Sequence, residues 1–482
     1  MEKLKVLYAA SEATPFIKTG GLADVAGSLP RALLDCGADV RVVLPKYGSI
    51  PWEYVSRMRH VGSLTVDVAW RRQFCAVLEL ELDGVTHYFI DNEGYFKRPN
   101  IYGYGDEAER YVFFSKAMLE MLPAIGFRPD VIHANDWQTA FAPIAMDAWY
   151  RRAGYLGSAA TLLTIHNMRY QGVMPAENME DMLALDWSYF RYDRMEWHGA
   201  VNLLKSGINF ADAVTTVSET YASEIMHEPF GEGLSDVLRK RAGDLHGILN
   251  GVDYASMSPE KDRYIYANYG PGSVGLKREN KVRLQAELDL NVDPHVPMVG
   301  IVSRLVDQKG FDLIERVIGE LLGADMQIVV LGTGDPRYED MFRYAAYCHP
   351  DKVSASIRFD NELSHKIYAG CDMLLMPSFF EPCGLSQLYA LRYGTVPIVR
   401  ETGGLNDTVR AYEEADGSGN GFTFANYNAH DMLHTVRRAL GVYADKRAWG
   451  AIMARGMAQD FSWARSARRY MDVYGLIAGR RR

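Results

Sequence analysis

The chain has 482 residues, of which 48% are hydrophobic and 23% charged, enough for two or three domains with large cores. Its formal net charge of −9 argues against a nucleic-acid or anionic-membrane partner, and the terminal Arg480-Arg481-Arg482 reads as a solvated tail too short to alter that balance. The five cysteines, Cys36, Cys75, Cys348, Cys371 and Cys383, form no C-x-x-C pair and indicate neither a disulfide framework nor a zinc site. The first residues run straight into a strand, with no secretory leader before it and no apolar run long enough for a transmembrane helix. A cytoplasmic α/β enzyme is expected.

The first strand, Lys5 to Ala10, is followed by SEATPFIKTGGLADVAGSLPRALLDCG. Gly20-Gly21 opens a helix there, with Leu22, Val25, Ala26, Leu29 and Leu33 as its core stripe. Lys18 stands before the glycine pair, which lets backbone approach a ligand closely, although spacing alone favours a solvated loop lysine. This is not a G-x-G-x-x-G fingerprint, so a nicotinamide cofactor is not indicated. Strand signals recur at Asp39 to Leu44, His87 to Asp91, Val131 to Asn135, Ala160 to His166 and Ala213 to Ser218, mostly separated by helical patterns. Alternation of this kind predicts a mostly parallel sheet. His133-Ala134-Asn135-Asp136-Trp137, His166-Asn167 and Ser218-Glu219 fall at strand ends, where open α/β sheets bind ligands. A lone histidine at such an end is as a rule a satisfied structural residue.

A second series starts near Gly247, with strands at Ile248-Leu249, Met298 to Ser303, Gln327 to Leu331, Ser354 to Phe359, Met373 to Met376 and Thr395 to Val399. Two consecutive α/β domains are therefore expected, 1–244 and 245–459, with an amphipathic terminal helix over 460–482. Residues 255–285 read as an irregular polar excursion. Arg304 and Lys309 follow a strand and precede a helix, where both could clamp a phosphate. Gly332-Thr333-Gly334 ends the next strand and offers accessible backbone. Phe359 ends the one after; it could stack on a base, or be a core phenylalanine.

The stretch PSFFEPCGLSQLYALRYGTVPIVRETGGLNDTV, Pro377 to Val409, reads as loop, helix, strand, loop and helix start, after the buried strand Met373-Leu374-Leu375-Met376. Each loop leads into a helix N-terminus that favours an anion. Glu381 sits in the first loop. It either accepts hydrogen bonds from hydroxyls, which beside phosphate-binding amides suggests a sugar nucleotide, or simply favours the helix N-terminus. No D-x-D occurs in the chain, so no acidic pair for a nucleotide-bound metal is evident.

Together, KTGGLADV at Lys18–Val25, HANDW at His133–Trp137, TIHN at Thr164–Asn167, KSGI at Lys205–Ile208, GILNGVD at Gly247–Asp253, SRLVDQKG, LGTGDP and FFEPCGL…RETGGL resemble the bacterial glycogen synthase and plant starch synthase family, in order and over nearly the whole chain. The resemblance implies a glycosyltransferase B-type fold: two Rossmann-like doubly wound parallel-sheet domains facing a cleft, closed by a C-terminal helix that crosses back to the first. It implies transfer of glucose from ADP-glucose to the non-reducing end of an α-1,4-glucan with retention; with no D-x-D and no metal-ligand cluster in the sequence, no metal or other cofactor is expected. His166, Glu381, Arg304 and Lys309 would be catalytic. Lys18, Gly20, Gly21, Asn250, Gly334, Phe359, Cys383, Gly384, Leu385, Thr402, Gly403 and Gly404 would hold the donor, and Asp136, Trp137 and Tyr102 would face the acceptor. Arg358 and Phe359 stand where the family often has glycine and tyrosine, Phe379 where arginine is common, and Gln138 where many members have histidine. Alternatives are a related transferase using UDP-glucose or another acceptor, a silent glucan-binding homologue, or a sugar-nucleotide epimerase.

Overall fold

The structure is a computed structural model that describes residues 3–152 and 154–481; Met1, Glu2, Ala153 and Arg482, the last of the terminal arginines, lie outside it. The chain divides into two compact units, Met1–Gly251 with Trp463–Arg482, and Val252–Ser462.

The first unit holds β1 (Lys5–Ala9), β2 (Asp39–Pro45), β3 (Arg59–Val68), β4 (Arg71–Leu82), β5 (Val85–Asp91), β6 (Val131–Asn135), β7 (Ala160–Ile165), β8 (Val173–Pro175), β9 (Glu196–Trp197), β10 (Ala200–Asn202), β11 (Ala213–Thr216) and β12 (Leu245–Gly247). Nine of these form one sheet in the order β12-β11-β7-β6-β1-β2-β5-β4-β3, and β8, β10 and β9 form a small separate one. The large sheet is parallel from β12 to β5 and ends in the antiparallel pairs β5-β4 and β4-β3. The chain runs from β1 to β2, out to the edge strand β3, back inward through β4 to β5, and then crosses to β6 on the other side of β1. The order reverses between β1 and β6, so the ligand crevice of an open parallel sheet belongs at their carboxyl ends. Helix Gly21–Asp35 covers the sheet with the expected stripe, and the helix tolerates Pro30 within it. Helix Trp463–Arg481 belongs to the same unit and buries Trp463, Ala467, Tyr470 and Tyr474. Its end is helical, exposed and ion-paired: Arg480 pairs with Asp244 at 2.9 Å and Arg481 Nε with Asp212 at 2.8 Å.

The second unit holds β13 (Met298–Val302), β14 (Gln327–Leu331), β15 (Val353–Ser356), β16 (Met373–Met376), β17 (Val396–Arg400) and β18 (Phe422–Phe424), in the order β15-β14-β13-β16-β17-β18. All pairs are parallel, and the order reverses between β13 and β16. The buried runs that made these strands legible in sequence are buried in the fold.

Two expectations need correction. The units divide later than expected: β12 pairs with β11, Val214 opposite Leu245, so residues 245–251 complete the first unit. Val252 N donates to Phe461 O at 2.7 Å, which keeps residues 460–462 with the second unit. Residues 255–285 are not an irregular excursion throughout, because helix Lys277–Glu287 begins within them. Its polar residues hid it, yet Lys277 and Lys281 are buried with partners: Lys277 Nζ donates to Tyr368 O at 3.0 Å, Ala369 O at 2.8 Å and Thr395 Oγ1 at 2.7 Å.

Candidate active site

At the first switch point, β1, β6 and β7 each deliver polar residues. Asn135 ends β6; its Nδ2 donates to Ala9 O at 2.9 Å, which turns Oδ1 toward Tyr8 OH at 3.1 Å and His166 Nε2 at 2.9 Å. An amide oxygen only accepts, so Nε2 of His166 carries the proton and Nδ1 keeps its lone pair. Burial lowers the His166 pKa to about 3, leaving the ring neutral at physiological pH. Asp136, in left-handed backbone at φ 56°, accepts from His166 N at 2.7 Å. Burial raises its carboxyl to about 7, with a smaller push from Glu12 and opposition from the His166 and Asn167 amides.

The turn before helix Gly21–Asp35 is stabilised from within. Lys18 is exposed and pairs with Asp24 at 2.8 Å. The buried Glu12 accepts from Thr19 N at 2.5 Å and Gly20 N at 3.3 Å. Tyr102 OH lies 2.8 Å from Ser11 Oγ, just past β1. Asn250 is buried, and its Oδ1 has no hydrogen-bond partner among the described residues.

Two strand-end residues are structural. His133 is fully buried, with Nδ1 2.7 Å from Tyr474 OH and Nε2 2.6 Å from Thr164 Oγ1, and so ties β6 to the C-terminal helix. Trp137, expected to face an acceptor, is 7% exposed, edge-on to Tyr111 and tight against Gly172. Its indole is core.

In the second unit, the loops after β13, β16 and β17 interlock. Lys309 Nζ lies 2.6 Å from Glu381 Oε2, and Ser378 Oγ donates to the same oxygen at 3.0 Å. Glu381 is 5% exposed. Arg400, at the end of β17, donates to Ser378 O at 2.9 Å, to Phe379 O and to Ala425 O at 3.2 Å, and so fixes the loop that carries Glu381. A Cβ on Gly403 would lie 2.0 Å from Glu381 O and one on Gly404 2.0 Å from Cys383 O. Only glycines let the second loop pack this closely on the first. Gly404 N already donates to Glu381 O at 3.1 Å, so this amide serves the packing rather than a free anion nest. Arg304 is exposed, and no described side chain pairs with its guanidinium.

The expected role of Gly334 changes, and the core alternative for Phe359 falls away. Gly334 does not offer free backbone: its N donates to Glu339 Oε1 at 2.9 Å, and a Cβ there would meet Leu305 O at 2.2 Å. Phe359 is not core; it is 79% exposed, just beyond β15 and between the ion-paired Arg358 and Asp360. Thr402 and Cys383 are buried, and Gly384 and Leu385 half-buried, in the same loop pair. The structure thus gathers Lys18, Gly20, Gly21, Asp136 and His166 at the first switch point, and Arg304, Lys309, Glu381, Cys383 and Gly403 at the second. Glu12, Asp24 and Arg400 were missed. Only Glu12 carried a signal: an acid just past a strand, ahead of a glycine turn. Among the described residues no group of three His, Cys, Asp or Glu side chains is placed to hold a metal ion, and no helix is long and apolar enough to cross a membrane.

Residues 5–240 match a family model described as the starch synthase catalytic domain, and residues 287–451 one for glycosyl transferases group 1. The chain is 52% identical to a glycogen synthase of Clostridium novyi (strain NT), over 98% of this chain and 99% of that one. It is 50% identical to one of Geobacillus thermodenitrificans (strain NG80-2), over 98% and 97%. Among solved structures, the catalytic domain of starch synthase IV from Arabidopsis thaliana, bound to ADP and acarbose, superimposes with a TM-score of 0.93 at 35% identity, covering 99% of this chain and all of that one. A sucrose-phosphate synthase from Thermosynechococcus elongatus shares the fold, with a TM-score of 0.62 at 18% identity.

Proposed function

The chain belongs to the family of bacterial glycogen synthases and plant starch synthases, and we infer that it transfers glucose from ADP-glucose to the non-reducing end of an α-1,4-glucan, with retention at the anomeric carbon. The observation that carries the reading is the second switch point. There a buried carboxylate, Glu381, is held by Lys309 and Ser378, in a unit whose Arg304 stands exposed after β13. A carboxylate suits sugar hydroxyls and a pair of cations suits a diphosphate.

In this reading Arg304 and Lys309 stabilise the negative charge that grows on the ADP oxygen as the glycosidic bond breaks. Glu381 already accepts from Lys309 and Ser378, which blunts it as a nucleophile and leaves its remaining lone pairs for glucose hydroxyls. Same-face attack follows: the glucan hydroxyl bonds to the anomeric carbon on the face from which ADP departs, and the ADP oxygen takes the hydroxyl proton. Catalysis is then mostly positioning and charge stabilisation. Neutral His166 offers Nδ1 as an acceptor for a glucose hydroxyl. Lys18, Gly20, Gly21 and Asn250 are assigned to the donor, with Cys383, Gly384, Leu385, Thr402, Gly403 and Gly404, and Asp136 and Tyr102 to the acceptor. Phe359 has the exposure to stack on adenine. No metal or other cofactor is assigned a part. Five free cysteines suit work in the reducing cytoplasm.

The test is initial-rate turnover with glycogen and either ADP-glucose or UDP-glucose. The reading expects the adenine donor to be strongly preferred. Preference for UDP-glucose would replace it with the related transferase, and ADP-glucose consumed without acceptor would replace it with an epimerase or hydrolase.

A further inference from the structure

We propose that Glu12 is a positioning residue for the transfer, clamping the turn that presents Lys18, Gly20 and Gly21. Glu12 lies just past β1 and is 4% exposed. Its Oε2 accepts from Thr19 N at 2.5 Å, Gly20 N at 3.3 Å and Thr19 Oγ1 at 3.0 Å. The two N–H groups belong to the peptide planes on either side of Thr19, so the carboxylate fixes the backbone on which Lys18 and Gly20 sit. The N-cap of helix Gly21–Asp35 is Gly20, which has no side chain to cap it. Glu12 therefore acts across the loop as a local cap would.

The clamp sits where its disturbance would be felt. Burial raises the Glu12 carboxyl above its ordinary range, and the Thr19 and Gly20 bonds draw it back, so those bonds are what sustain the buried charge. The same carboxylate adds to the upward shifts of Asp136 and Tyr102. A structural cap would affect only stability. A positioning residue must act through the turn, and so through Lys18.

This inference rests on the proposed donor role of Lys18, and the test separates the two. Donor KM and kcat are measured for wild type, Glu12→Gln, Lys18→Met and the double variant. Glu12→Gln should raise donor KM about tenfold, with a smaller change in kcat. The double variant should resemble Lys18→Met alone, because both changes act through one turn. Wild-type KM in Glu12→Gln, or a double variant showing the product of the two single effects, would overturn the proposal. Thr19→Val, which removes only the hydroxyl bond, should move KM the same way by less, and covers the case in which Glu12→Gln does not fold. Amide exchange at Thr19 and Gly20 is read without substrate. Faster exchange in Glu12→Gln supports the clamp and unchanged exchange contradicts it, whether or not the wild type uses ADP-glucose.

Discussion

Lys309 and Glu381 form an ion pair, Nζ 2.6 Å from Oε2, with side chains 18% and 7% exposed. Lys309 follows β13 and Glu381 follows β16, the two strands on either side of the switch point, so the pair joins the two loops that a ligand there would touch. Neither charge is spare: each is held by the other.

Glu381→Gln keeps the shape but loses the charge. A charged hydrogen bond strengthened in the transition state is worth about 1.5–3 kcal/mol, so turnover should fall roughly 10- to 100-fold while the protein stays folded. Steady-state kinetics beside a thermal melt decide it. Wild-type kinetics would remove Glu381 from the site.

Lys309→Ala removes a cation from the leaving group and leaves Glu381 without its ion-pair partner. Turnover should fall by about 10²–10³, and inhibition by ADP should weaken. Lys309→Arg should recover only part, because a planar fork does not replace a point charge against Glu381. Nearly full turnover with unchanged ADP inhibition in Lys309→Ala would make it an ordinary structural lysine.

Phe359 is 79% exposed, so Phe359→Ala costs little packing and its melting temperature should stay near wild type. Stacking on a base is worth about 1–3 kcal/mol, so the KM for ADP-glucose should rise by roughly 5- to 150-fold. An unchanged KM would show that adenine does not rest on this ring.

Asp136 gives the stability a pH dependence of definite sign. Its folded pKa, raised by burial to about 7, exceeds the unfolded value of about 3.9. The folded state thus holds the proton more tightly, and this contribution is full below about pH 4 and lost as pH rises to about 7. Asp136→Asn cannot titrate, so wild type should gain stability relative to it as pH falls from 7 to 4. Thermal unfolding at several pH values measures the gap. A gap independent of pH would mean that Asp136 keeps an ordinary carboxylate pKa.

The buried parallel strands at the centre of the two large sheets were legible because they read as continuous apolar runs, as at Met373–Met376, whereas the half-exposed β3 and the short β8, β9, β10 and β18 were not. The strand near Gly247 was read as the first of the second series, whereas β12 pairs with β11 of the first unit, which displaced the boundary; helix Lys277–Glu287 was hidden because its buried face is mostly lysines and amides. Positions of Lys309 and Glu381 at strand ends could be read, but not that they pair with each other. Trp137 and Gly334 were misjudged because a motif gives residue type and position but not which way a ring or an amide points. Arg400 gave no signal, and the position of Asn135 at a strand end could be read but not its bonds, since what they do is visible only in the carbonyls and side chains that fold back to them.

The most direct test of glucosyl transfer is a single reaction with ADP-glucose and glycogen, following ADP release and the anomeric proton of the new linkage by NMR. The account predicts one ADP released for each glucosyl unit added, and an α-1,4 signal from the first turnovers. Release of ADP without chain growth, a β-linked product, or no ADP at all would contradict it.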